Sequence, residues 1–171
     1  ILDIDISKDR ETAQANLRLV TLDAHALAED FSKAQLKQEI HQTAAGTEEQ
    51  EQAVSLEDRY LILSQLLSSN KYSTVERNCT ITLTAAGEGE DTIWEIKRTY
   101  TLENDLVGGL MNYLTDPDIL SPGDTLLVYL DTLKNMSTEE LGNYLNTDSI
   151  ISTEDSSKIA LAEALVKQVS S

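Results

Sequence analysis

The chain opens on a period of two: Leu2, Ile4 and Ile6 alternate with Asp3 and Asp5. Successive side chains of an extended backbone point to opposite faces, so this run predicts a half-buried strand. Ser7-Lys-Asp-Arg10 reads as a polar turn. Alternation then resumes, with Ala13, Ala15, Leu17 and Leu19 facing one way and Gln14, Asn16 and Arg18 the other. Together the two runs predict an antiparallel hairpin. From Ala24 the period lengthens, and Leu27, Phe31, Leu36 and Ile40 form a helical stripe. Thr43 to Gln52 is polar and holds Gly46, as an exposed connection would. A second helix is announced by Ser55 with Asp58 three residues on, a capping box with Asp in place of Glu. Its Leu56, Tyr60, Leu63 and Leu67 fall at i, i+4, i+7 and i+11, which is one face.

Two strands follow. Val75, Cys79, Ile81 and Leu83 share a face opposite Glu76, Asn78, Thr80 and Thr82. After the glycine-containing loop of residues 86–91, Thr92 to Thr101 returns as a strand with Trp94, Ile96 and Tyr100 inward. Threonine, isoleucine and aromatic content favours strand over helix in both. Arg77 and Arg98 interrupt the apolar faces, which a paired carboxylate or a place near the sheet margin would accommodate. Residues 103–114 predict one short helix. Asp116-Pro-Asp118 and Ser121-Pro-Gly are turn chemistry and mark the best boundary. Beyond it the pattern is helical. Ser121 with Asp124, Ser137 with Glu140 and Ser152 with Asp155 start three helices. The first buries Leu126, Leu127, Leu130 and Leu133, the second carries Leu141, Tyr144 and Leu145, and the third runs towards Val169.

The fold class expected is therefore α+β: a four-stranded antiparallel curved sheet, strands near 1–7, 12–22, 73–85 and 92–102, packed against helices. Residues 1–114 form the sheet with its helices, 115–121 a linker and 122–171 a helical segment.

Charge removes several functions. Thirty acidic against 13 basic residues leave a formal net charge of −17. A nucleic-acid phosphate binder needs clustered Lys and Arg, so nucleic acid is not an expected partner. Adsorption to an anionic bilayer is disfavoured for the same reason. One cysteine leaves no intrachain disulfide and no multi-thiolate zinc site. No apolar run approaches the length, about 20 residues, of a membrane-spanning helix. The first residue is Ile1, already inside a strand, as in a trimmed piece of a longer protein.

Residues 1–110 resemble the later part of the nuclear-transport-factor-like, or cystatin-like, α+β domains of surface lipoproteins common in Firmicutes. The likeness is carried by Thr12-Ala-Gln-Ala-Asn-Leu-Arg-Leu-Val20 before a helix, by Asn78-Cys-Thr-Ile-Thr-Leu83, and by Ile93-Trp-Glu-Ile-Lys97 running into Leu102-Glu-Asn-Asp-Leu-Val-Gly-Gly109. In that family, helices earlier in the chain cross the concave face of the sheet to make a cone-like roll. Here residues 121–169 are similar to that missing segment. The resemblance implies that these helices cover a sheet, either in cis as a permuted unit or in trans as a swapped homodimer. Membership of a tandem protein whose missing halves do the covering is the remaining alternative. It further implies an extracytoplasmic protein, anchored by a lipidated cysteine upstream of Ile1, with a protein or cell-envelope partner.

Candidate chemistry is sparse. Cys79 sits mid-strand on an apolar face, more in keeping with packing than with nucleophilic work. Asp3, Asp5, Ser7, Asp9 and Glu11 imitate the spacing of calcium ligands, but Lys8 stands where that loop needs glycine. The histidines, His25 and His41, lie on helix surfaces away from Cys79. No catalytic residue, metal site or cofactor is expected. Trp94, Arg98, Tyr100 and Arg77 are the candidate ligand-binding residues, placed to line the mouth of a cone and meet an anionic or aromatic ligand. Three functions compete: a non-enzymatic domain for protein or envelope interaction, a small-ligand-binding cone, and an isomerase or dehydratase on the same fold. The first is the reading adopted, and fold alone cannot carry the third.

Overall fold

The computed structural model describes residues 1–45, 54–87, 93–144 and 164. The fold is α+β. Four strands, β1 (Asp3–Ile6), β2 (Thr12–Leu22), β3 (Thr74–Ala86) and β4 (Ile93–Ile96), form an open antiparallel sheet in the order β1-β2-β3-β4. Six helices lie among the described residues: α1 (Ala24–Ala44), α2 (Leu56–Ser68), α3 (Tyr100–Leu106), α4 (Leu110–Tyr113), α5 (Pro122–Asn135) and α6 (Thr138–Tyr144). The chain divides into two compact units: residues 1–28 with 70–116, and residues 29–69 with 117–171. The helices of 29–69 thus group with the C-terminal segment, not with the sheet. The expected third C-terminal helix, Ser152 to Val169, lies outside the described residues except for Ala164, which is helical, and Leu145 lies outside them too.

In the first unit, register follows the alternation. Ala13 pairs with Leu83, Ala15 with Ile81, Leu17 with Cys79 and Leu19 with Arg77. Ile4 and Ile6 join that face from β1, and Ile96 and Trp94 from β4. The opposite face is threonine-rich, and Thr80 Oγ1 donates to Asn16 Oδ1 at 2.8 Å across the β2–β3 pair. Slipping the register by one residue would turn every one of these side chains over, so the pattern specifies the pairing strongly. At the β1–β2 turn, Asp9 receives the Ser7 hydroxyl and the Glu11 amide. These hydrogen bonds, Ser7 first, hold the Asp9 carboxyl below the usual range. The acidic run is therefore a strand face and a turn.

Two elements differ from the sequence expectation. The fourth strand stops at Ile96, because Thr99 turns extended and its hydroxyl accepts the Leu102 amide at 3.1 Å, capping α3. Tyr100 therefore opens a helix instead of ending a strand. The single helix over 103–114 is broken in two by Gly108 and Gly109, whose φ angles of +71° and +83° no right-handed helix contains.

In the second unit, Ile40 of α1, Leu133 of α5 and Leu141 of α6 make a buried cluster, with Leu36, Tyr129, Met136 and Tyr144 against it. Three of the four caps read from sequence are present, and the fourth, Ser152 with Asp155, lies outside the described residues. The Ser55 hydroxyl accepts the Asp58 amide, the Ser121 hydroxyl that of Asp124, and Ser137 and Glu140 bond reciprocally. Lys37 reaches Asp131 at 2.9 Å and His41 reaches Glu140 at 3.3 Å. Exposed pairs of this kind add little to stability, so they orient α5 and α6 on α1 more than they hold them there.

Of the four α5 leucines expected to be buried, Leu133 is, Leu130 is half-buried, and the other two are not. Leu126 and Leu127 are exposed, and Val128, Thr132 and Leu133 are buried. The buried stripe is turned by roughly one residue, about 100° around the axis, from the one the leucines mark. Thr132 is accommodated there because its hydroxyl bonds the Val128 carbonyl at 2.7 Å.

Tyr129 and Tyr144 lie with ring centroids 6.2 Å apart. Burial, followed by the hydrogen bond and charge of Tyr129, pushes the Tyr144 phenol up to about 12. A raised pKa means that the folded chain keeps this proton longer than the unfolded one. The contribution to stability is intact below the unfolded value of about 10 and is lost as pH rises through about 12. Absorbance titration at 295 nm should show a late tyrosine transition, and Tyr129→Phe should move it part of the way back, since burial remains. An unchanged late transition in that variant would count against the assignment.

Candidate functional site

The sheet unit brings three chemistry-bearing side chains together on its apolar side. Arg77 projects from the stretch of β3 that β4 does not reach, since β4 pairs only with residues 83–86. Its Nη2 donates to the Tyr113 hydroxyl at 3.0 Å, and its guanidinium carbon lies 5.9 Å from the Tyr113 ring centroid. His25, on the first turn of α1, meets the same ring edge-on at 5.1 Å. Gly109 makes the arrangement possible, because a Cβ there would sit 2.7 Å from Arg77 Nη1. Of the two readings offered for Arg77, the margin position is the one observed. Its partner is a neutral phenol, and no ion pair of Arg77 with a carboxylate occurs among the described residues.

The four residues singled out from sequence are not brought together. Trp94 stands opposite Ala85 on β4, half in solvent. Arg98 lies in the loop after β4 and donates through Nε to Glu103 Oε1 at 3.0 Å, beside the cap of α3. Tyr100 donates its hydroxyl to Asn112 Oδ1 at 2.9 Å. Arg77 alone joins the cluster with Tyr113 and His25. Sequence reasoning missed Tyr113 because a continuous helix over 103–114 sends it along the helix surface. The adjacent glycines were the signal that could have broken that helix.

Beside the cluster, Cys79 is 4% exposed and Asp105 of α3 faces it. Burial first, and then the Asp105 charge and hydrogen bond, push the thiol up. A nucleophilic cysteine needs the opposite shift. Arg77, Tyr113 and His25 can offer hydrogen-bond donors and an aromatic edge; they do not form a nucleophile with its base.

In the helical unit, Tyr60, Leu63, Ser64, Leu67 and Ser68 of α2 line a shallow groove of about 390 Å³. No helix among the described residues is long and apolar enough to cross a membrane. No protein-family model, curated protein or solved structure matches the chain.

Proposed function

We propose that this chain is a non-enzymatic extracytoplasmic domain that acts by holding a protein or cell-envelope partner. The observation that carries this is the sheet's apolar face. Ile4 and Ile6 at one rim and Trp94 and Ile96 at the other are exposed, although they share the face on which Ala13, Ala15 and Cys79 are buried. Apolar side chains held in ordered strands at two rims are in keeping with a contact surface. Edge strands with free backbone donors and acceptors suit a protein partner better than a small molecule. The extracytoplasmic placement rests on the lipoprotein-like strand and helix order and on the acidic composition.

The test is site-specific photo-crosslinking in the producing cell. A benzophenone side chain in place of Trp94 should give a discrete heavier adduct, and the same group at Thr82, on the threonine face, should give none. Adducts at both positions, or at neither, would remove the reading. A periplasmic-type phosphatase fused behind the gene product should be active; an inactive, stable fusion would refute the placement outside the cytoplasm.

A further inference from the structure

We infer that the open edge of β3, residues 74–80, takes an extended segment of a partner protein as an added antiparallel strand, with an Asp or Glu of that segment set against Arg77. The inference rests on the protein-partner reading above and says how that partner is held. The Ala85 amide bonds the Glu11 carbonyl at 2.8 Å, and the Asp23 amide bonds the Ser73 carbonyl at 2.9 Å. Odd-numbered residues of β3 therefore turn their backbone groups towards β2, and even-numbered ones turn them away. Near the end of β3 the outward groups are used. There β4 pairs with residues 83–86, and the Lys97 amide bonds the Thr82 carbonyl at 2.9 Å. Then Thr99 caps α3 and the pairing stops. The N–H and C=O groups of Thr74, Glu76, Asn78 and Thr80 have no hydrogen-bond partner among the described residues, and all four residues are exposed. This edge is about 20 Å long, whereas β1 and β4 have four residues each. Of the sheet unit, only residues 88–92 lie outside the described residues, and they join the other end of β3 to β4.

Charge selects the occupant. A bare edge pairs with any strand unless a side chain on it discriminates. Arg77 discriminates. It is half-buried between Val75 and Cys79 on the apolar face, with no carboxylate partner among the described residues. Because its own backbone groups face β2, it meets an added strand in a non-hydrogen-bonded pair, where opposed side chains come closest. An apolar residue laid there would cover the guanidinium without pairing it, which is costly. A carboxylate there takes the donors that the Tyr113 phenol leaves free. A second copy of this chain cannot supply one through the same edge. When two β3 edges pair antiparallel, odd residues meet odd, so Arg77 faces Val75, Arg77, Cys79 or Ile81 and never an acid. On the other face, Glu76 favours a basic residue and Asn78 and Thr80 favour polar ones. The fitting segment alternates apolar and polar positions, with one acid on the apolar side.

The probe is the capped peptide Val-Thr-Val-Thr-Glu-Lys-Val-Thr. Laid antiparallel along residues 81–74, it sets its glutamate against Arg77 and its lysine against Glu76. In the free chain, amide exchange followed by NMR should be fast at Thr74, Glu76, Asn78 and Thr80 and slow at Val75, Arg77 and Cys79. The peptide should bind with a Kd on the order of 0.5 mM and protect the four fast amides. N-methylation of its second threonine, opposite Asn78, should abolish binding; N-methylation of its second valine, opposite Cys79, should be tolerated. Glutamine in place of the glutamate should weaken binding about fivefold, although it makes the peptide more positive towards a chain of net charge −17. Arg77→Gln, with its fold checked by circular dichroism, should bind both peptides alike. Slow exchange at the four edge amides of the free chain, binding indifferent to the site of N-methylation, or no binding at about 5 mM would overturn the inference. Equal affinity of the parent chain for the two peptides would overturn the pairing with Arg77. An adduct at Trp94 alongside these failures would keep the protein partner and remove only its seat on β3. Peptide binding with no adduct in the cell would remove the partner reading alone.

Discussion

Gly108→Ala should lower the stability of the sheet unit by about 3 kcal/mol, a fall of roughly 6–12 °C in melting temperature for a chain of this size. Two costs add. A non-glycine residue held at a φ of +71° costs roughly 1–2 kcal/mol by itself. The new Cβ would also lie 2.8 Å from Thr21 Oγ1 and 3.1 Å from the Leu22 carbonyl oxygen. The second contact is backbone at the end of β2, fixed by the pairing of Leu22 with Thr74. It cannot give way without loosening the ladder. The Thr21 hydroxyl is already buried without a partner, so pushing it aside restores nothing. Gly142→Ala is the control. That glycine sits inside α6 with nothing within 4 Å of the added carbon, and alanine there should gain about 0.5–1 kcal/mol. Urea unfolding of the two variants, followed by circular dichroism, should move in opposite directions. Equal shifts would mean that the Gly108 turn carries no strain.

What the sequence made legible was local. Alternation placed β2, because Ala13, Ala15, Leu17 and Leu19 share one face and Thr12, Gln14, Asn16 and Arg18 the other, a pattern that lapses only from Val20 onward, near the strand's end. The caps at Ser55, Ser121 and Ser137 were readable because capping is settled within four residues. β4 was overextended for a related reason. Trp94, Ile96 and Tyr100 keep a period of two, but Thr99 starts a helix inside that run, and a periodic count does not register a cap. The candidate site was less legible. Arg77 could be picked out as a charge on an apolar face, yet its partner stands 36 residues away across a glycine break. Nothing in the strand itself encodes a phenol at that distance. Whether an apolar helix face is covered is equally a property of the assembled unit, and the exposed stripe of α2 is the clearest instance.

Leu133→Ala should cost about 2–5 kcal/mol, while Leu127→Ala, on the same helix, should stay within about 0.5 kcal/mol of the parent. As sequence, both are leucines in one capped amphipathic run. In the folded unit, Leu133 is 7% exposed and closes on Ile40 and Leu141, whereas Leu127 is 66% exposed. Removing the Leu133 side chain forfeits its transfer free energy and leaves a void walled by Ile40, Leu141 and the side chains around them. Collapse is limited there, because α5 and α6 are fixed at their first turns by the Ser121 and Ser137 caps. At Leu127 the water is already present, and alanine even improves helix propensity slightly. Chemical denaturation of both variants reads the difference directly, as a midpoint shift at unchanged slope. Equal losses would return α5 to the face that its leucines mark. A large loss at Leu133 alone places the helix on Ile40 and Leu141, with Leu126 and Leu127 left outward in solvent.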